Sequence, residues 1–477
     1  MMRLTRRVFL RTVGAFAGLA GLPGTRRRAW GQTSSLADVP TLDGGIAFDE
    51  TARRAAANDW GGAVHRVPLA VVQPGSVDDV AKIVTYANRR GLKVAMRGRG
   101  HSVYGQAQVE GGIVIDSSSL SGGRWAAGDM VDVDAGALWG DVANVALTRG
   151  FTPPVMVDAM MLSVGGILSV GGLGETSYRL GGAVDHVAEL DVVTGRGARV
   201  TCSPERNAEL FSMMLAGLGQ CGIITRARLR LVRAPAAVSL RTLLYDDLDP
   251  FLADAGALTG ASGVGPLASR VTKTSDGRWQ YALVVGTFVA DAAEAVSSPA
   301  WMSGLRFKTE APAARLPYAA YLERRTASID TAKAAGKPNP ALALALPASS
   351  TAPFLVHALS SPELSTGVWL GEVYPLLTAP FARPLMKLPA GPLVYAVRLQ
   401  RRASADNASD HRAMLEANNA LVPRIHAIGG KIYPPYAPVL ARTQWRDYYG
   451  AETWRRFAAA KQRFDPGHVL NPGAGIF

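Results

Sequence analysis

The chain has 477 residues, 48% of them hydrophobic, and a formal net charge of +13. That length exceeds one ordinary core, and the apolar content excludes a disordered chain. The charge resembles a polyanion-binding signal until it is located: seven arginines and no acid lie within residues 1–31, so the remainder is mildly basic, about +6, and no nucleic acid partner is expected.

At the N-terminus, Thr5-Arg6-Arg7-Val8-Phe9-Leu10-Arg11 precedes an apolar run from Thr12 to Gly24 that is too short and glycine-rich to span a bilayer. Small residues at Ala29-Trp30-Gly31 offer a cleavage point. Residues 1–31 are therefore expected to be a twin-arginine export signal, giving a periplasmic or secreted protein with no membrane span in its mature form. A basic tail or a membrane anchor is the competing reading.

Ser76 to Asp79 resembles a capping box, and Val80, Ile83, Val84 and Ala87 recur at helical spacing before Gly91, so a helix is predicted over 76–90. Leu92 to Met96, Gly112 to Asp116 and Val131 to Asp134 read as strands, with a helix from about Leu138 to Arg149. A hairpin follows: Glu189 to Thr194, a turn at Gly195-Arg196-Gly197, then Ala198 to Thr201. A helix over Asn207 to Leu218 and a strand over Ile223 to Val232 complete the first region. Beyond Ala234-Pro235-Ala236 come strands at Leu240–Tyr245, Gln280–Val289, Val368–Leu376 and Leu393–Leu399 and a helix at 409–427; residues 335–352, rich in Ala and Pro, read as a loop. Cys202 and Cys221 are the only cysteines, and no His/Cys cluster has metal-ligand spacing. Both sit in apolar surroundings that suit buried thiols; a disulfide is the other outcome.

The chemistry concentrates in Arg97-Gly-Arg-Gly-His-Ser-Val-Tyr-Gly-Gln106, between two predicted strands. Gly98 and Gly100 let backbone approach a ligand where a side chain would clash, and His101 projects from the same loop as a possible nucleophile. Gly217-Leu-Gly-Gln-Cys-Gly222 matches G-x-G-x-x-G by letter, but a helix precedes it and a strand follows, the reverse of a dinucleotide fingerprint.

With these residues in view, the chain resembles the vanillyl-alcohol oxidase family of flavoproteins, and within it the cytokinin dehydrogenases most closely. The likeness rests on the 97–106 loop, Gly111-Gly-Ile-Val-Ile-Asp116, Asp158 followed by Ser163-Val-Gly-Gly166, Glu189-Leu-Asp-Val-Val-Thr-Gly195, Gly217 to Ala227, and the closing Phe464-Asp-Pro466 to Phe477. It implies an α+β fold with a two-part PCMH-type FAD-binding domain, residues 32–235 and 431–477. An inserted α+β substrate domain on an antiparallel sheet would occupy 236–430.

The resemblance further implies FAD bound covalently, its 8α-methyl joined to His101, which would make the flavin a stronger oxidant. It implies flavin contacts at Gly98, Arg99, Gly100, Ser102, Gln106, Ser163, Gly165, Gly166, Ser169, Ile223 and Tyr433. For Tyr433, core packing is the competing role. Asp158 would be the catalytic base, accepting an N–H or O–H proton while hydride leaves the adjacent carbon for flavin N5; an Asp capping a turn is the alternative.

Departures limit the inference. Ala159 stands where berberine-bridge relatives carry a second, cysteinyl flavin link, so one covalent bond is expected. Val170 and Ala474 replace the family's Asn and Gln. The plant enzymes' Pro-Trp-Leu-Asn stretch finds only Pro353-Phe-Leu-Val356, and their amine-binding glutamate finds no match. The expected partners are a small amine or alcohol substrate, such as an N6-allyl amine of cytokinin type, and oxygen, a quinone or a redox protein as electron acceptor. Two alternatives are a same-fold oxidase of alcohols, sugars or lactones and a noncatalytic flavin-binding protein.

Overall fold

Alternating and continuous apolar runs become strands of four sheets in the computed structural model, which describes residues 36, 38–157, 159–290, 298–324, 338–403, 408–438 and 440–477. The expected export signal lies outside those residues. All four sheets belong to a compact unit, Pro40–Phe477, distinct from Met1–Val39.

The first sheet holds β1 (Gly45–Ala47), β2 (Ala70–Gln73), β3 (Val94–Arg97) and β4 (Ile113–Asp116) in the order β1-β2-β4-β3, parallel except for β1. Its central strands are apolar without alternation because both faces are covered; Val72, Val94, Ile113, Val114 and Ile115 are fully buried. The predicted helix, Val77–Arg90, crosses between β2 and β3. Ser76 caps it and Gly91, at φ 65°, ends it. Asp79 in its first turn is buried and accepts from the amides of Asp43, Gly44 and Gly75, which pins the chain entering β1 to the helix.

The second sheet is antiparallel: β5 (Gly123–Trp125), β6 (Met130–Asp134), β8 (Val187–Thr194), β9 (Arg199–Cys202) and β10 (Gly222–Arg230) in the order β5-β6-β10-β8-β9. A two-stranded ribbon joins β7 (Phe151–Thr152) to β11 (Val232–Arg233). The expected hairpin is β8–β9, with Gly197 at φ 78° in its turn. Val131, Val133, Leu190 and Ala227 face the core, whereas Arg226 on the other face bridges Asp132, Glu189 and Asp191.

The third large sheet has eight antiparallel strands, β12 (Ala237–Tyr245), β13 (Leu267–Lys273), β14 (Trp279–Val289), β15 (Thr309–Pro317), β16 (Leu342–Pro347), β17 (Val368–Leu377), β18 (Leu393–Arg401) and β19 (Lys431–Ile432). Their order is β15-β12-β14-β13-β17-β18-β16-β19. The expected seam at 235 falls just before its first strand, and its edge strand β19 lies just past the seam at 430.

Three local expectations are corrected. Within the stretch read as a loop, residues 342–352 form β16 and the first part of a helix, Ala348–Ser360. Ala-rich composition hid a strand whose Leu342, Leu344 and Leu346 enter the main core, while its Ala343 and the preceding Ala341 join a second cluster with Trp60, Tyr104 and Tyr436. The helix expected over 207–218 ends at Met214. Leu215 turns extended, and Ala216 and Leu218 adopt φ of 57° and 49° so that their amides reach Leu168 and Ser169 carbonyls. Tertiary hydrogen bonds outweigh the apolar periodicity there. The strand expected over 223–232 is cut at Leu231, and Val232 and Arg233 pair in the separate ribbon. Cys202 and Cys221 are free, buried thiols.

The C-terminal segment closes against the first two sheets. Asn471 accepts from Met96 N at 3.0 Å and donates to Gly219 O at 2.9 Å, joining β3 to the turn before β10. Behind it, buried Lys461 pairs with buried Asp465 at 2.7 Å and donates to Gln220 O at 2.9 Å; Asp465 also accepts the Val469 and Leu470 amides.

Candidate active site

The loop after β3 is held from several sides. Buried Trp60 and Gly61 donate their amides to Gly100 O and Ser102 O, and Val103 N donates to Pro435 O. Asp59 accepts from Gly105 N at 2.8 Å, Ser102 Oγ at 3.1 Å and Gly62 N at 3.0 Å. Burial raises the Asp59 carboxyl against the opposing pull of those donors and of Arg97. Burial likewise lowers the Arg97 guanidinium. The glycines are required by space: a Cβ on Gly98 would stand 2.1 Å from Ser163 Oγ, and Gly100, at φ 63°, would put one 2.3 Å from Arg97 Nη2.

This loop forms one wall of a cavity of about 220 Å³. Gly98, Arg99, Gly100, His101, Ser102, Gln106, Ser163, Gly165, Gly166, Ser169, Ile223 and Tyr433 all line it, so the expected contact residues converge on one space. Val157 and Ala159 line it as well, whereas Asp158 between them lies outside the described residues. His101 is half-buried, its ring stacked on Trp60 with centroids 4.8 Å apart and planes 26° from parallel.

Individual roles differ within that set. Gln106 spends its side chain on protein, accepting from Tyr104 N and donating to Pro434 O and Ala437 O, so it ties the loop to the C-terminal segment. Ser169 Oγ donates back to Gly165 O at 2.7 Å. Tyr433 accepts from Gly172 N at 3.3 Å and stacks on Tyr436. Pro353 to Val356, the weak counterpart of the plant stretch, sits in the Ala348–Ser360 helix with Val356 exposed and none of it on the cavity. The third sheet supplies instead Ala343, Leu344, Tyr374, Ala396, Val397 and Arg398.

Trp60, Asp59, Asn471, Tyr374 and Arg398 were not singled out from sequence. Asn471 had a signal, since it stands inside the Leu470-x-Pro-Gly473 motif; the others occupy ordinary loop or strand positions.

These residues fit a flavin dinucleotide. Among the described residues, the amides of Arg99, Gly100 and Ser102 donate to no protein acceptor, as suits an anionic pyrophosphate. Gly166 is exposed on the cavity, where a side chain would enter the space, and an added Cβ would stand 2.9 Å from Ser163 Oγ. Trp60 Nε1, beside His101, is buried without a partner among the described residues.

Comparisons with known proteins agree. A family profile described as an FAD binding domain matches residues 68–203, and one described as "Cytokinin dehydrogenase 1, FAD and cytokinin binding" matches residues 268–477. An uncharacterized oxidoreductase of the fasciation locus of Rhodococcoides fascians is 32% identical over 89% of this chain and 97% of its own. Cytokinin dehydrogenase 10 of Oryza sativa subsp. japonica is 32% identical, covering 96% and 94% of the two chains. Cytokinin dehydrogenase 4 of the same plant is 33% identical, covering 91% and 90%. In fold, the chain is similar to 6-hydroxy-D-nicotine oxidase from Arthrobacter nicotinovorans, with a TM-score of 0.70 at 20% identity over 91% of this chain and 98% of the other. With a glycine-loop cavity suited to FAD and full-length relatives of this kind, the chain belongs to the cytokinin dehydrogenase family of FAD-dependent oxidoreductases.

Proposed function

We propose that this oxidoreductase oxidises a C–N bond of an N6-allyl amine of cytokinin type, with FAD held covalently through His101. The observation that carries the reading is the placement of His101: it projects from the amide-rich loop, packed on Trp60, beside the cavity to which the other expected contacts converge. The names of the relatives support the amine class.

When bound, FAD supplies the two-electron acceptor that takes hydride from the substrate carbon. His101 would anchor it through the 8α-methyl. The amides of Arg99, Gly100 and Ser102 would hold the pyrophosphate. Asp158 takes the substrate N–H proton as hydride leaves the neighbouring carbon, and the resulting imine is split by water into an amine and an aldehyde. Dioxygen, a quinone or a small redox protein would serve as the final electron acceptor. Residues 1–31 direct export by the twin-arginine route, which delivers a folded, cofactor-loaded protein.

Acid precipitation tests the link: wild-type protein keeps its yellow colour in the pellet, and His101→Ala releases it. Flavin that leaves the wild-type pellet excludes the covalent bond. Asp158→Asn is expected to slow anaerobic flavin reduction by about a thousandfold or more without lowering flavin content, and near-normal reduction removes it as the base. Bleaching by polyols and not by N6-substituted adenines would move the substrate to the alcohols.

A further inference from the structure

Beside the main cavity lies a smaller void of about 20 Å³, and the two share Leu173, Leu344, Ala396 and Tyr433 as walls. Sheet register explains the space. One cross-strand row runs through Tyr374 of β17, Ala396 of β18, Ala345 of β16 and Lys431 of β19, and residues opposed in this way share a face. Tyr374 lines the main cavity, Lys431 lines the void, and the two alanines between them leave volume unfilled. Met386 closes another side, seated so near the end of the helix Val164–Val170 that a Cβ on Gly171 would stand 2.4 Å from its Sδ.

The lining is apolar apart from three side chains, and each of these bonds a group outside the void. Lys387 Nζ donates to Thr453 Oγ1 at 2.8 Å, Lys431 Nζ donates to Tyr448 O at 2.9 Å, and the Tyr433 hydroxyl accepts from Gly172 N at 3.3 Å. A buried water needs about two to four polar partners, whereas a space of this size without them suits one small apolar molecule. The lysines add a second property. Both are half-buried and bond neutral oxygens; burial lowers both, and the charge of Lys387 lowers Lys431 further, so the two cations stand close together. Desolvated cations are costly to keep. The apolar tail of a substrate gains nothing from them, but an electron acceptor that becomes negative with its first electron does.

We infer that this void is a dioxygen site serving the flavin cavity, with Ala345 and Ala396 providing its space and Lys387 and Lys431 its positive potential. The inference rests on the flavin reaction taking place in the main cavity, and among the acceptors named above it selects dioxygen. Two electrons and one proton from the reduced flavin, with one proton from solvent, convert dioxygen to hydrogen peroxide and restore the oxidised flavin.

The test uses the flavin-loaded full chain in two ways. Crystals pressurised with krypton should show the gas in the void of wild type and not in that of Ala345→Leu, whose longer side chain fills it. In stopped flow, flavin reduced by light with no substrate present is mixed with dioxygen or with the dye dichlorophenolindophenol. Ala345→Leu is expected to slow reoxidation by dioxygen about tenfold or more while reoxidation by the dye stays within about twofold. Should that variant misfold from overpacking, Leu388→Phe, from a half-buried position on the same void, replaces it. The double variant Lys387→Met/Lys431→Met, which keeps the space, should still take up krypton and slow the dioxygen step about three- to tenfold; an unchanged rate overturns the part given to the lysines. Equal dioxygen rates in wild type and the filled variant overturn the inference, as does wild type that takes no krypton into the void or is not reoxidised by dioxygen. Equal slowing with dioxygen and dye overturns it too, and so does a raised KM for N6-allyladenine with an unaltered dioxygen rate, which would give the void to the substrate. If the dioxygen step depends on Ala345 but no amine or alcohol reduces the flavin, the proposed substrate reaction fails and the gas site stands.

Discussion

The glycine-loop wall and the third-sheet wall enclose the same cavity by opposite means. The first offers backbone: amides of Arg99, Gly100 and Ser102, with glycines where a Cβ would collide with Ser163 or Arg97. It is assembled from distant parts of the chain, since Asn471 and Met96 are 375 residues apart in sequence. The second is self-contained and offers side chains, small ones at Ala343 and Ala396 and a cation at Arg398. A cofactor common to many enzymes needs the invariant geometry of backbone, whereas a particular substrate is selected by a few side chains that can change without disturbing the fold.

Substitutions can break this contrast. The largest effect is expected at Asp465→Asn, which leaves Lys461 charged, buried and without its counter-ion; a loss of about 3–5 kcal/mol should appear in thermal or urea unfolding. An unaltered unfolding midpoint would detach the clasp from the stability of the loop wall. Next is Gly98→Ala, whose Cβ would lie 2.1 Å from Ser163 Oγ. Overpacking of about 1–3 kcal/mol predicts flavin content at least about tenfold lower, measured by absorbance of purified protein. Full flavin retention would show that backbone approach at this point is dispensable.

Ala343→Leu should do the reverse. It fills space beside Arg398, so KM is expected to rise about tenfold with flavin content unchanged, and a loss of flavin instead would blur the division between the walls. The smallest effect concerns the scaffold behind the loop. Burial alone would raise the Asp79 carboxyl, but the amides of Asp43, Gly44 and Gly75 outweigh it and hold it below its ordinary value. Because the folded value is depressed, this stabilisation is present above about pH 4 and is lost as pH falls through the folded value. Asp79→Asn should flatten the acid limb of the stability curve; an unchanged limb would mean that Asp79 does not contribute to it.

The same contrast explains what could be read from sequence. The helix Val77–Arg90 was legible because its cap, its apolar spacing and Gly91 agree, and the β8–β9 hairpin because its turn glycines bracket alternating strands. Gly98 and Gly100 of the loop wall were legible because a Cβ has no room there, whereas the other expected contacts came from the family resemblance. The opposite wall was not, because Ala343 and Ala396 act through missing volume and carry no motif. The strand β16 reads as a loop from sequence for that reason: its alternation is between Leu and Ala, two residues that composition alone counts as alike. The early end of the helix at Met214 was hidden too, since the carbonyls that draw Ala216 and Leu218 out of it belong to residues 168 and 169.

The Asn471 junction also sets an order of events. β3 and the glycine loop emerge from the ribosome hundreds of residues before the asparagine that completes their hydrogen bonding, and the entire third sheet is made in between. During that interval the loop lacks its C-terminal closure, so capture of the cofactor must await synthesis of the segment around Lys461 to Asn471. Truncation before that segment would be expected to yield a soluble or aggregating chain without bound flavin, and the last helix of the fold would govern when the protein first acquires its colour.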